Sequence, residues 1–255
     1  MSAFEVAAIL LAGMAAGTIN TVVGSGTLIT FPTLLAFGVP PVTANVSNTI
    51  GLVPGSVSGA IGYRAELAGQ RERLIRLGSA SLLGGTAGAV LLLVLPSEAF
   101  DTIVPALIGL GVVLVVVGPL ISRRVAERAE RRGTTLAEHG SWWVWPAVAA
   151  AGIYGGYFGA AQGVLLVAIL GIGVADSLQR HNATKNVLAG LVNAVAAVIF
   201  ILVAEVDWLA AGLIAVGSIV GGQLGATVGR RLPPMALRGV IVVVGVTALV
   251  LFLVD

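Results

Sequence analysis

Residues 24–38 read GSGTLITFPTLLAFG. Glycines bracket the stretch and Pro32 interrupts it. As a helix its fifteen residues rise roughly 22 Å, against about 30 Å for the hydrocarbon core of a bilayer. It is apolar enough for a membrane and too short to cross one alone.

Its surroundings have the composition of a membrane protein. Hydrophobic residues make up 57% of the 255 and charged residues only 10%, with mean hydropathy +1.03. A soluble domain carries about 25% charged residues. Apolar runs of spanning length recur at 4–22, 77–95, 99–121, 187–204, 208–228 and 236–254. The 35 glycines suit tightly packed membrane helices, where small residues let backbones approach. With no cysteine, a disulfide framework, a thiolate metal site and a cysteine nucleophile are excluded. His139 and His181 do not make a conventional metal cluster. The first residues, MSAFEVAAILLAGMAAG, lack a basic n-region and read as part of the mature fold rather than a cleaved signal.

The chain reads as duplicated. Ala15, Ala16 and Gly17 match Ala150, Ala151 and Gly152, and Gly24 matches Gly159. Leu35, Gly38, Thr49 and Gly55 match Leu170, Gly173, Thr184 and Gly190, all 135 residues apart. Gly84, Gly85, Gly88 and Ala89 match Gly221, Gly222, Gly225 and Ala226 at a spacing of 137, as do Leu95-Pro96 and Leu232-Pro233. Each half then has five hydrophobic segments. These are 4–22, 26–38, 42–62, 77–95 and 99–121, then 142–159, 163–175, 182–204, 208–228 and 236–254. The expected organisation is an N-terminal transmembrane repeat (1–121), a basic cytoplasmic linker (122–141) and a C-terminal transmembrane repeat (142–255).

Basic residues choose the orientation. If every segment changes sides and the linker is cytoplasmic, all thirteen arginines and Lys185 fall inside. The outer loops then hold only Glu98, Asp101, Glu205 and Asp207. If the two short segments instead dip in and leave on the same side, Arg180, Lys185, Arg230, Arg231 and Arg238 move outside. The first arrangement is favoured. It gives five crossings per repeat, so the fold class expected is an all-α polytopic membrane protein of two inverted repeats, each with one short half helix. Both termini are expected outside. Inverted repeats are a recurrent transporter architecture, with sites at the midplane beside short or broken helices.

Two stretches carry the candidate chemistry. GTINTVVGSGT (17–27) places Asn20, Thr21, Ser25 and Thr27 in apolar surroundings, with Gly24 and Gly26 permitting close ligand approach. A helix starting near Gly26 aims unpaired N–H groups and its positive dipole end inward, a natural anion site. The counterpart GGYFGAAQGV (155–164) holds Gln162 and Gly163. Next come TANVSNT (43–49), with Asn45, Ser47, Asn48 and Thr49, and LQRHNATKN (178–186), with Asn182, Thr184, Lys185 and Asn186. Lys185 is the only lysine and the charge deepest in an apolar stretch. It either faces the pathway or snorkels to the cytoplasmic interface. The bland reading of the glycines and hydroxyls is helix packing and local hydrogen bonding. All twelve acids lie in loops or at segment ends, which disfavours a carboxylate sodium site or proton relay. There is no phosphate-loop motif and no nucleophile–base constellation, and no cofactor is expected. Interior donors, helix ends and one ammonium suit a small anion.

Three pieces carry a family resemblance: residues 17–51, GTINTVVGSGTLITFPTLLAFGVPPVTANVSNTIG; residues 155–193, GGYFGAAQGVLLVAILGIGVADSLQRHNATKNVLAGLVN; and residues 217–233, GSIVGGQLGATVGRRLP. Together they resemble the TauE/SafE family, the sulfite exporter group. The resemblance implies a multi-pass transporter of sulfur-containing anions, such as sulfite or organosulfonates, in the bacterial plasma membrane. Relatives that handle thiosulfate use membrane cysteines, which this chain lacks. The expectation is a secondary transporter and not an enzyme, exporting a small oxyanion by alternating access between the repeats. Nucleic acid is not an expected partner. Its donors are Asn20, Gly24, Ser25, Gly26, Thr27, Asn48 and Thr49 from one half. Gln162, Gly163, Asn182, Thr184, Lys185 and Asn186 come from the other. An anion channel lined by the same donors is the alternative.

Overall fold

The computed structural model describes residues 1–132, 141–231 and 234–254. Part of the basic linker, with His139, and the Leu232-Pro233 match lie outside the described residues. Among those described there are helices and turns and no strand. The first half folds as α1 (Ala3–Val22), α2 (Thr27–Ala36), α3 (Pro41–Gly62), the single turn α4 (Arg64–Leu67), α5 (Arg71–Val94) and α6 (Ser97–Arg132). The second folds as α7 (Val144–Tyr157), α8 (Gln162–Gly173), α9 (Leu178–Val203), α10 (Trp208–Thr227) and α11 (Pro234–Val254). The ten apolar segments are thus ten helices. The sequence did not mark α4, and α6 runs eleven residues past the expected boundary at 121 into the linker.

Local chemistry starts these helices. Ser2 and Glu5 form a capping box on α1, the Ser2 hydroxyl accepting from the Glu5 amide and the Glu5 carboxylate from the Ser2 amide. Ser177 and Asp207 cap α9 and α10 through their side chains. Pro41 opens α3, where a missing N–H costs nothing. The helices α1, α5, α6, α9 and α10 are each long and apolar enough to cross a bilayer, and among them Leu83, Val94, Val113, Leu202 and Val220 are exposed. A belt of that kind is stable against lipid, not water. The protein is a multi-pass membrane protein.

Glycines set how the helices pack. A Cβ on Gly13 would come within 2.9 Å of the Ile214 Cα, and one on Gly17 within 2.8 Å of the Ser218 Cα. Both contacts step four residues along α1 and α10, so these helices run parallel. Gly51 and Gly55 of α3 meet the same Ile214 and Ser218, so α3 shares that direction. The repeat offsets recur in space. Gly221 rests on the Met14 carbonyl and its counterpart Gly84 on the Ala149 carbonyl, as Gly225 rests on Thr18 and Gly88 on Ile153. Thus α1 packs along α10 and α7 along α5, each half of the chain lending its first helix to the other. The closest-packed groups are α1–α3–α10 and α5–α7–α9, which mix the halves.

The chain turns back after α1. The ring of Phe37, at the end of α2, sits edge-on to that of Phe4 near the start of α1, centroids 6.2 Å apart. So α2 starts deep in the protein and returns beside the end from which α1 set out.

Candidate functional site

The turns before the two short helices are built alike. Gly24 has φ +93° and Gly159, its repeat counterpart, φ +74°, a left-handed conformation that favours glycine. The Gly24 amide donates to the Ile19 carbonyl at 3.0 Å, and the Gly159 amide to the Tyr154 carbonyl at 3.0 Å. Every residue of this closing pattern maps onto its partner 135 positions on. Neither α2 nor α8 has a side-chain cap at its start.

The two turns touch. The Gly163 amide donates to the Gly24 carbonyl at 3.0 Å, and the facing α-carbons leave no room for a side chain on either residue. The Lys185 stem lies against both, its Cδ 3.2 Å from where a Gly24 Cβ would stand and 3.0 Å from where a Gly163 Cβ would stand. Lys185 is 0% exposed, so it does not snorkel. Its ammonium donates to the carbonyls of Asn20 at 2.8 Å and Thr21 at 2.9 Å, and Asn186 donates to Thr21 at 3.3 Å. These are end carbonyls of α1, the negative pole of its dipole. An ammonium has three donors, so the two bonds leave one.

The α3 asparagines hold both turns. Asn48 donates to the Thr27 hydroxyl at 3.3 Å and accepts from Thr30. One turn earlier, Asn45 donates to the Tyr157 carbonyl at 2.9 Å, at the end of α7. Second-half Lys185 and Asn186 therefore bond the end of α1, while first-half Asn45 bonds the end of α7. Ser25, Gly26, Thr27 and Gln162 are buried around this junction.

Other expected donors are engaged elsewhere. The Gly163 amide is taken by Gly24. The Thr49 hydroxyl bonds the Asn45 carbonyl of its own helix at 2.9 Å. Thr184 donates to Gln70 Oε1 at 2.8 Å, which places it in a separate polar cluster. Asn182 is buried in the same first turns of α9.

That cluster was not anticipated. Arg73 donates to both Gln70 Oε1 and Asp176 Oδ2 at 2.6 Å, and Arg180 Nε lies 2.8 Å from Asp176 Oδ1. Arg180 also donates to the Ala68 carbonyl at 3.0 Å. The loops around 68–73 and 174–180 thus sit at one end of the molecule. Burial pushes the Asp176 carboxyl up, but hydrogen bonds from Arg73, Arg180 and the Ser177 amide outweigh it and hold the group at about 2. In sequence these residues look like unrelated loop charges, and no spacing links them. Thr30 escaped selection, and Asn45, a candidate of the 43–49 stretch, was not among the expected donors, because nothing in an apolar helix start marks which side chain faces inward.

The sulfite exporter TauE/SafE family matches residues 9–252. The chain is 26% identical over 239 residues to a probable membrane transporter protein, YfcA, of Escherichia coli K12, covering 91% of this chain and 83% of that one. A probable membrane transporter protein of Haemophilus influenzae is 25% identical over 219 residues, 84% and 81% of the two chains. One from Sinorhizobium, ORF9, is 24% identical over 258 residues, 99% and 94%. No solved structure matches. The chain belongs to the TauE/SafE family of membrane transporters.

Proposed function

We propose that the protein is a secondary transporter that exports a small sulfur-containing oxyanion, sulfite or an organosulfonate, across the bacterial plasma membrane. The reading assigns no chemical step to the chain. The observation that carries it is the fully buried Lys185 laid across the Gly24–Gly163 contact, with carbonyl oxygens as its bonded partners. A buried charge without a counter-charge is costly, and an arriving anion supplies one. Ser25, Gly26, Thr27, Asn20 and Asn48 would face the anion from one half. Gln162, Asn182 and Asn186 join Lys185 from the other, while the hydroxyls of Thr49 and Thr184 are engaged elsewhere. An expelled anion moves with an inside-negative potential, worth about 2.3 kcal/mol per charge per 100 mV. The family description supports the substrate class, and the relatives' names support membrane transport.

The topology belongs to the same reading: inverted repeats, arginine-rich loops inside and both termini outside. The Arg73–Asp176 pair supports it, because the alternative would set those loops on opposite faces. So does the return of α2 to Phe4. The moving bodies would be α1–α3–α10 and α5–α7–α9, rather than the two halves of the sequence. They meet where Ser56 of α3 faces Gly190 of α9, a Cβ there standing 3.2 Å from the Ser56 Cβ.

The test is uptake of labelled sulfite into inside-out proteoliposomes by a Ser56→Cys/Gly190→Cys double variant. The cysteine-free background makes the cross-link specific. We expect uptake that stops on oxidation and returns on reduction, with either single variant unaffected. Uptake that persists in the cross-linked protein identifies a channel. No uptake of any sulfur oxyanion by the wild-type protein defeats the reading.

A further inference from the structure

Among the described residues, the buried polar atoms without a hydrogen-bond partner include Ser25 Oγ, Gln162 Nε2 and Asn45 Oδ1. Ser25 and Gln162 flank the touching glycines, and either can donate to an anion. Asn45 is different. Its Nδ2 already donates to the Tyr157 carbonyl at 2.9 Å. Flipping the amide would set Oδ1 against that carbonyl oxygen, so the assignment is fixed by chemistry. What remains is an acceptor, 0% exposed, on the same face of α3 as Asn48, which holds the start of α2. An anion that offers only oxygen lone pairs leaves this acceptor unsatisfied. An anion with an O–H or N–H group satisfies it. The charge at the junction points the same way. Lys185 is the ammonium there and its bonded partners are neutral carbonyls. One negative charge balances it, and a second would be buried unpaired.

We propose that Asn45 is a specificity residue that accepts a hydrogen bond from the transported anion. The site then selects monoanions carrying a donor, such as hydrogensulfite or a hydroxy- or amino-bearing sulfonate, over acceptor-only anions and dianions. This rests on the anion site proposed above.

Three probes separate the terms: hydroxymethanesulfonate (monoanion with an O–H), methanesulfonate (monoanion without a donor) and sulfate (dianion without one). Binding is read as ligand-dependent thermal stabilisation of the purified full-length protein at constant pH and ionic strength. In the wild type we expect hydroxymethanesulfonate to bind about tenfold tighter than methanesulfonate, and methanesulfonate tighter than sulfate. In Asn45→Leu the ratio between the two sulfonates should fall to about one, a change that general loosening of the fold would not produce. The wild-type comparison stands if that variant does not fold. If all three anions bind equally, or sulfate binds best, the role of Asn45 is overturned while the anion site stands. If none binds, the site itself is wrong.

Discussion

The amide of Gly163 donates to the carbonyl of Gly24 at 3.0 Å, and no side chain fits between the two residues. This bond joins the start of α8 to the turn before α2. It links the two halves of the chain within the buried candidate site.

Gly163→Ala sets a Cβ onto backbone, which cannot yield as a flexible side chain can. We expect it to cost about 1–3 kcal/mol and to reduce transport. Gly24→Ala should cost about 1–2 kcal/mol more, because its left-handed φ adds strain to the clash. Two controls separate the terms. Gly38 shares the positive φ but a Cβ there meets nothing within 4 Å, and Gly171 has neither problem. Thermal denaturation of the four alanine variants should rank Gly24 and Gly163 lowest, then Gly38, with Gly171 near wild type.

Lys185→Met keeps the length of the stem and removes the ammonium. It removes a costly buried charge and leaves the Asn20 carbonyl without its donor, two effects of opposite sign on stability, while Thr21 keeps Asn186. We expect a melting temperature close to wild type and transport reduced about tenfold or more. Lys185→Arg should not rescue it, because the planar guanidinium is wider than the gap beside the two glycines. Unchanged flux in Lys185→Met proteoliposomes would remove this residue from the site.

Asp176 gives the pH dependence. Its folded value of about 2 lies below the ordinary 3.8, so its ion pairs contribute stability above that ordinary value. The contribution is fully present above about pH 5 and is lost as pH falls toward 2. Solvent screening at this partly exposed pair leaves it worth about 1 kcal/mol. Asp176→Asn should lose it at every pH and flatten the acid limb of the melting-temperature profile. A variant with an unchanged acid limb would show that Arg73 and Arg180 do not stabilise the carboxylate.

Much of the fold is legible in the sequence. Hydropathy marks ten segments, and the glycine offsets of 135 and 137 pair them, because close helix contacts tolerate only small residues at fixed positions. The short stretch at 24–38 is apolar by composition alone, and the matching stretch at 159–173 also folds as a short helix. What composition and spacing do not carry is which helix each glycine faces. Gly84 and Gly221 look like ordinary small-residue motifs, and only the packed structure sets them against α7 and α1, exchanging helices between the halves. The same holds for the polar residues. Lys185 reads equally as anchor or ligand in one dimension. The fold turns it inward because the end carbonyls of α1, 164 and 165 positions away in the chain, arrive there needing donors. Local chemistry decides where helices begin and how apolar they are. Long-range contact decides which buried polar atoms find partners and which, like Asn45 Oδ1, are left for something else to bind.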